Sequence, residues 1–224
     1  MRRWFCGLAL AVLASELVPA SIQAVTITLR TGVDAALTPL GQNVADPFWT
    51  ISVQGGAFVA AEVAHTGVIC CGMATVTAEA LWISDPSITA GSSATGWGVG
   101  PMAFARRSFD LTGIDLATVA LNGIWRVADN RQGVYLNGNL LVGTATGSIG
   151  YNANQTLQVL AASGFFLPGV NVLELRGISA NSQFDGFWFS GTVTGNPIAV
   201  AEPVTLALLG LGLASVQAAR RLRS

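Results

Sequence analysis

The middle of the chain consists of short runs in which apolar and polar residues alternate. At 25–30 and again at 118–127, hydrophobic side chains recur at every second position. That period is typical of a strand with one buried face. Gly, Pro, Asn and Asp separate further β-rich runs at 47–53, 75–83, 103–111, 133–141, 171–178 and 184–193. The pattern predicts about eight to ten short strands.

Helical periodicity is scarce between these runs. We predict one helical turn at 114–117, where the Asp115 side chain can cap the first backbone N–H groups. We predict a second turn at 155–162. The pattern predicts no helix longer than these turns between the strands. Neighbouring strands should therefore be joined by turns and pair antiparallel.

The run at 133–141 has the sequence of a β-hairpin. Its Asn137-Gly138 pair suits a type I′ turn, which requires a positive φ at both central residues. Many short strands without intervening helices indicate an all-β fold. We therefore predict an antiparallel β-sandwich of the jelly-roll type over residues 25–197.

The N-terminus has the features of a secretory signal peptide. Two arginines precede an almost purely apolar stretch at 4–14, and small residues follow, with cleavage expected after Ala20 or Ala24. The apolar stretch is shorter than the roughly 20 residues needed to span a bilayer. We assign residues 1–24 to the signal peptide; the alternative is a buried N-terminal helix.

The C-terminus has a second apolar segment with a basic end. Glu202-Pro203 precedes an apolar run at 204–219, which as a helix would reach about 24 Å, close to the thickness of a bilayer core. The chain then closes with three arginines, Arg220, Arg221 and Arg223. Positive residues stay on the cytoplasmic side, so both ends predict that the middle of the chain lies on the outer side of the membrane.

The segment 200–224 resembles the PEP-CTERM sorting tail of Gram-negative bacteria. Glu202 and Pro203 match the central pair of that motif, whereas Ala201 stands where the family usually has a first proline. The resemblance implies a membrane-anchored intermediate that an exosortase-type enzyme cuts near the Glu-Pro pair. It also implies a host that makes exopolysaccharide. The alternative is an ordinary anchor that stays uncut.

The body resembles a galactose-binding-domain-like jelly roll. The landmarks that carry the resemblance are Asp46–Thr50, Arg107–Gly113, Trp125, Ala128–Asn130, Val134–Gly138, Phe165-Phe166 and Gly169–Leu173. The resemblance implies a jelly-roll fold and, by analogy alone, glycan binding, since a fold does not determine a function.

The charged residues, and the residues that could act in catalysis or bind metals, argue against several classes of function. Residues 25–200 carry ten acidic residues, six arginines and no lysine, a net charge of −4 without a basic stripe, so we expect no nucleic-acid partner. His65 is the single histidine. The adjacent Cys70 and Cys71 could form a strained disulfide, stay as thiols or bridge between chains. A lone histidine with two adjacent cysteines does not suit a metal site, and no acid pair has a glycosidase-like spacing. We therefore predict no metal site and no catalytic residue, and we predict no cofactor.

Aromatic and polar residues near predicted loops are the candidates for ligand contact. Trp97 lies between two glycines in a Gly/Ser-rich stretch, whereas Trp125 shares an apolar strand face and should be core. Asp129 is a candidate for ligand contact. Its alternative roles are to form an Asx turn or to bind calcium together with other loop oxygens. The predicted ligand-contact residues are Trp97, Asp129, Asn130, Arg131 and Tyr135.

The leading hypothesis is an exported, non-catalytic protein of the cell surface or exopolysaccharide matrix that binds carbohydrate. It follows from the two ends, the β-rich body and the missing catalytic groups. A self-associating structural protein without glycan preference is the first alternative. A polysaccharide-active enzyme is the second.

Overall fold

The computed structural model describes residues 23–64, 79–86, 100, 102–127, 130–142, 154–179, 185–198 and 210. Within these ranges the chain forms eleven strands and two short 3-10 turns, Leu116–Thr118 and Ala161–Ser163. The strands are β1 Val25–Arg30, β2 Ala45–Val53, β3 Val59–Val63, β4 Ile83–Ser84, β5 Met102–Asp110, β6 Ala120–Val127, β7 Asn130–Leu136, β8 Asn139–Val142, β9 Gln155–Leu160, β10 Val170–Ile178 and β11 Phe187–Gly195.

The strands form one antiparallel sheet that curves into a near-barrel. Its order is β8-β7-β10-β5-β2-β3-β4-β11-β6-β9, and β1 pairs with β11 beside β4. The two end strands, β8 and β9, contact each other, so the sheet almost closes on itself. The predicted all-β antiparallel class is confirmed at this level.

Large aromatic side chains fill the space that the sheet encloses. Trp49, Trp125 and Phe189 are fully buried, and the predicted core position of Trp125 is confirmed. The Phe189 ring lies over two glycines paired across β6 and β11, Gly123 and Gly191. A Cβ on Gly191 would lie only 2.7 Å from the backbone oxygen of Asn122, so glycine is required there.

Local sequence signals locate several elements correctly. The strand predicted at 25–30 coincides with β1. The Asp115 carboxylate accepts a hydrogen bond from the Ala117 backbone N–H at 3.0 Å and caps the 3-10 turn. Asn137 and Gly138 have φ angles of 51° and 82°, as a type I′ turn requires.

The structure differs from the prediction at three places. The helical turn predicted at 155–162 is wrong over most of its length, because 155–160 form β9. Leu157 and Val159 are buried there while their neighbours are not, which is the period of a strand. β3 was not predicted, since its sequence Val-Ala-Ala-Glu-Val has weak strand propensity and depends on pairing with β2 and β4.

The third difference concerns the run predicted at 75–83. Of its described residues, 79–83, only Ile83 lies in a strand, and that strand has two residues. Positions 75–78 lie outside the described residues.

Both chain ends lie outside the described residues except Gly210. The signal peptide, the membrane helix predicted at 204–219 and the sorting residues Glu202, Pro203, Arg220, Arg221 and Arg223 therefore stay predictions. In the described part of the chain, no helix combines the length and apolarity that a membrane crossing requires.

Candidate functional site

A groove of about 510 Å³ lies on the outer face of β2, β5 and β10, beside the turn that follows β7. Leu173 and Leu175 of β10 point into the core, so Glu174 between them projects to the opposite face. Side chains from three strands and the β2–β3 loop line the groove, namely Thr50, Phe58, Arg106, Ser108, Glu174 and Arg176. Val172 and the Asn137-Gly138 turn complete its lining.

Strand register places the central groove residues in one row. Tyr135 of β7 lies opposite Glu174 of β10, Glu174 lies opposite Arg106 of β5, and Arg106 lies opposite Thr50 of β2. Side chains that are directly opposite on one face of an antiparallel sheet contact each other. The row therefore alternates aromatic, acidic, basic and hydroxyl groups across four strands.

Glu174 is the centre of the row. Its side chain is only 7% exposed and pairs with two arginines. Oε2 accepts from Nε of Arg106, and Oε1 accepts from Nε of Arg176 at 2.6 Å. A buried carboxylate is costly unless it is paired and hydrogen-bonded, so the two arginines offset the burial of Glu174.

Both guanidinium groups lie on aromatic rings. The Arg106 guanidinium lies 4.0 Å from the centroid of the Phe58 ring, and the Arg176 guanidinium lies 3.6 Å from that of Tyr135. Such cation–π contacts are worth about 0.5–2 kcal/mol each. Together with the Glu174 bonds, they fix the plane of each guanidinium.

The hairpin at one end of the groove is held by amide side chains. Asn171, which is fully buried, accepts from Nδ2 of Asn137 at 2.8 Å. Asn137 also donates to the Phe165 carbonyl and accepts from the Val172 N–H. These bonds occupy both ends of the Asn137 amide, so this residue shapes the groove and has little capacity left for a ligand.

A second arginine–carboxylate cluster lies where β1 meets β2 and β5. Asp46 is 2% exposed and accepts from the backbone N–H groups of Gly32, Phe48 and Trp49 at 2.6, 2.9 and 3.1 Å. Burial raises the pKa of the Asp46 carboxyl, although these bonds and Arg107 act in the opposite direction. Burial likewise lowers the pKa of Arg107.

This second cluster fastens β1 to the rest of the sheet. Nη2 of Arg107 donates to the Thr28 carbonyl at 3.4 Å, and Nε1 of Trp49 donates to the Arg30 carbonyl at 2.8 Å. The Arg107 guanidinium also lies 4.0 Å from the centroid of the Phe48 ring. Because Asp46 and Arg107 are buried, we assign this cluster a structural role.

Among the predicted ligand-contact residues that the structure describes, Tyr135 contacts the groove residue Arg176, although it is not one of the described lining residues itself. Tyr135 lies beneath Arg176 on the outer face. Asn130 and Arg131 occupy the opposite end of β7, paired with Ile178 and Gly177. Trp97 and Asp129 lie outside the described residues.

Sequence reasoning missed the groove residues Phe58, Arg106, Glu174 and Arg176. The signal that could have found three of them is alternation within strands: Arg106 and Ser108 share a face of β5, and Glu174 and Arg176 share a face of β10. Which strands are neighbours depends on the topology, and no local pattern contains it.

The tryptophans of the described strands and loops serve the interior. Trp49, Trp82, Trp125 and Trp188 are at most 3% exposed, so none of them offers a flat face to a sugar. His65, Cys70 and Cys71 lie outside the described residues. Within the described ranges, no three His, Cys, Asp or Glu side chains are grouped to hold a metal ion.

Comparison with known proteins gives only distant structural likenesses. No protein-family model matches the chain, and no curated protein matches it significantly. The isomalto-dextranase of Arthrobacter globiformis T6, solved with panose, aligns with a TM-score of 0.30 and 10% identity over 77% of this chain and 32% of that one.

The catalytic unit of a GH87 alpha-1,3-glucanase from Streptomyces thermodiastaticus strain HF3-3 aligns with a TM-score of 0.22 and 15% identity, over 71% of this chain and 28% of that one. The chain therefore spans less than a third of the length of either structure.

Proposed function

We propose that this chain is an exported, non-catalytic carbohydrate-binding protein of the cell surface or exopolysaccharide matrix. Its body is a jelly roll of the galactose-binding-domain-like type. The segments 1–24 and 200–224 support export, a membrane-anchored intermediate and processing by an exosortase-type enzyme. The outer-face groove supports the binding role.

The single observation that carries the binding role is the pre-arranged row in the groove. Thr50 and Ser108 offer hydroxyl groups, the arginines offer N–H donors, and Phe58 is a 36% exposed aromatic wall. Ligand sites combine an apolar surface with a few fixed polar groups in this way. Of these groove residues, all except Phe58 lie on strands, which hold side chains more rigidly than loops do.

Binding of purified mature protein to a panel of neutral and acidic polysaccharides tests this function. We expect retardation in affinity electrophoresis by at least one polymer and a loss of about tenfold in affinity for Phe58→Ala. Leu160→Ala is the control, because Leu160 is an exposed apolar residue of β9 that does not line the groove. Absence of binding to every polymer would refute the function.

A second candidate, self-association as a structural protein, is favoured by one end of the sheet. Four of the exposed apolar side chains lie there, at Leu160, Leu167, Val170 and Ile198. Analytical ultracentrifugation distinguishes the two candidates. A protein that stays monomeric at high concentration would contradict assembly and favour the binding role. An oligomer that dissociates in Val170→Arg, where the wild-type residue is 65% exposed, would support assembly.

Mass spectrometry of the mature protein from its host tests the export part. We expect the N-terminus to follow Ala20 or Ala24 and the C-terminus to lie near Glu202-Pro203. An intact chain in the cytosol would contradict the proposal.

A further inference from the structure

We propose that the outer-face groove selects acidic glycans, whose sugar carboxylates bind between Arg106 and Arg176. This inference rests on the carbohydrate-binding function proposed above and names its ligand class. It begins with charge: the described lining residues include two arginines and a single acid, Glu174, so the groove carries one net positive charge. The body as a whole is acidic, which makes this local excess of positive charge distinctive.

The arginines still have donors to offer. Each uses Nε for Glu174, and neither makes a hydrogen bond through Nη1 or Nη2 to another described residue. The Arg106 side chain is 44% exposed and that of Arg176 is 28% exposed. A guanidinium forms strong, paired hydrogen bonds to carboxylates, so the free Nη groups suit an acidic ligand better than a neutral one.

The arginines are also pre-organised. Glu174 accepts a hydrogen bond from Nε of each, and the Phe58 and Tyr135 rings lie against their flat faces. A ligand therefore does not need to order two long side chains, which would otherwise cost about 0.5–1.5 kcal/mol each.

Hydroxyl groups beside the arginines indicate a sugar acid rather than a small anion. Thr50 lies opposite Arg106 in the sheet, and Ser108 follows on the same face of β5. Neither hydroxyl bonds to another residue in the described part of the chain, so both are available to sugar hydroxyls. A carboxylate between the arginines and ring hydroxyls toward Thr50 and Ser108 would use all four groups.

The test compares one polymer in two charge states. Polygalacturonate and its carboxyl-reduced derivative share a backbone and differ in the carboxylate, and both are titrated against the purified mature protein. We expect the acidic form to bind at least about tenfold more tightly, with an advantage that shrinks at high salt. Equal binding of both forms would overturn the acid preference but leave carbohydrate binding standing. Binding of neither form would also overturn the acid preference, whereas the proposed function itself is refuted only if no polymer of the wider panel binds.

Two variants of one exposed residue isolate the electrostatic effect. Ser108→Asp and Ser108→Asn have the same shape and differ by one negative charge. We expect the Asp variant to bind polygalacturonate about tenfold more weakly than the Asn variant, and both to bind the reduced polymer alike. Arg30→Gln removes a positive charge on β1, outside the groove lining, and should leave the affinity unchanged.

A small-anion competition completes the test. Free glucuronate should displace the polymer at lower concentration than inorganic phosphate does, because only the sugar acid can also use the hydroxyl groups. Displacement by phosphate at the same or lower concentration would overturn the assignment to a sugar carboxylate. Equal affinity of Ser108→Asp and Ser108→Asn for polygalacturonate would overturn it as well.

Discussion

The two arginine–carboxylate clusters of this protein have similar residues in opposite settings. Glu174 pairs with two arginines on the outer face, and both of those arginines reach solvent. Asp46 faces the interior, where three backbone N–H groups hold it and the neighbouring Arg107 is 9% exposed. Among the described residues, Nε and Nη1 of Arg107 have no hydrogen-bond partner.

This contrast separates a buried cluster with a structural role from a cluster whose guanidinium groups reach solvent. Buried ions stabilise a fold only when their desolvation is offset, so the Asp46 cluster should respond to mutation mainly in stability. Partly exposed guanidinium groups lose little by exchanging water for a ligand, so the Glu174 cluster should respond mainly in affinity. The following predictions test that division.

The largest expected effect is that of Asp46→Ala on stability. The change leaves three buried N–H groups without their acceptor and Arg107 without its counter-charge. We expect the free energy of unfolding to fall by about 3–5 kcal/mol, measured by urea denaturation. A loss below about 1 kcal/mol would mean that the cluster does not fasten β1.

Glu174→Ala should cost less. Both arginines lose a partner, but their exposed Nη groups can be hydrated, so we expect a loss of about 1–3 kcal/mol. Urea denaturation alongside Asp46→Ala measures the ranking directly. A greater loss for Glu174→Ala would reverse the division between the clusters.

Arg106→Gln should change stability still less, by less than about 1 kcal/mol, because its side chain is 44% exposed. Its affinity for an acidic polysaccharide should nevertheless fall by about tenfold, measured by titration calorimetry. Unchanged affinity with a large stability loss would make the groove arginines structural.

The smallest expected effect is one of pH. The pKa of Asp46 is raised in the folded protein, so its contribution to stability is complete below the unfolded value of 3.8 and is lost as pH rises through the folded value. The wild type should therefore gain stability relative to Asp46→Asn as the pH falls from 7 toward 4. Denaturation of both proteins at the two pH values measures this, and groups such as Asp110 cancel in the comparison.

The features that were predicted correctly from the sequence are those that depend on residues close together in the chain. β1, the Asp115 cap and the Asn137-Gly138 turn depend on alternation, capping and backbone conformation, all of which are local. β3 and β9 were missed or misassigned, because weak or ambiguous propensity was overridden by pairing with distant strands.

The groove could be predicted only in part for the same reason. Tyr135 belongs to the landmark motif Val134–Gly138, but its partners Glu174 and Arg176 come from β10, which lies far from it in sequence and itself pairs with β5. The pairing of Glu174 with Arg106 joins positions 68 residues apart, and only the sheet order brings them together.

The fastening of β1 also affects how readily another strand can add to this edge of the sheet. An outer strand normally presents unpaired carbonyl groups that invite a foreign strand to add on. Here side chains of Trp49 and Arg107 already occupy the Arg30 and Thr28 carbonyls. A second copy of this chain would therefore find two carbonyl groups of this edge already bonded, which disfavours amyloid-like growth from β1.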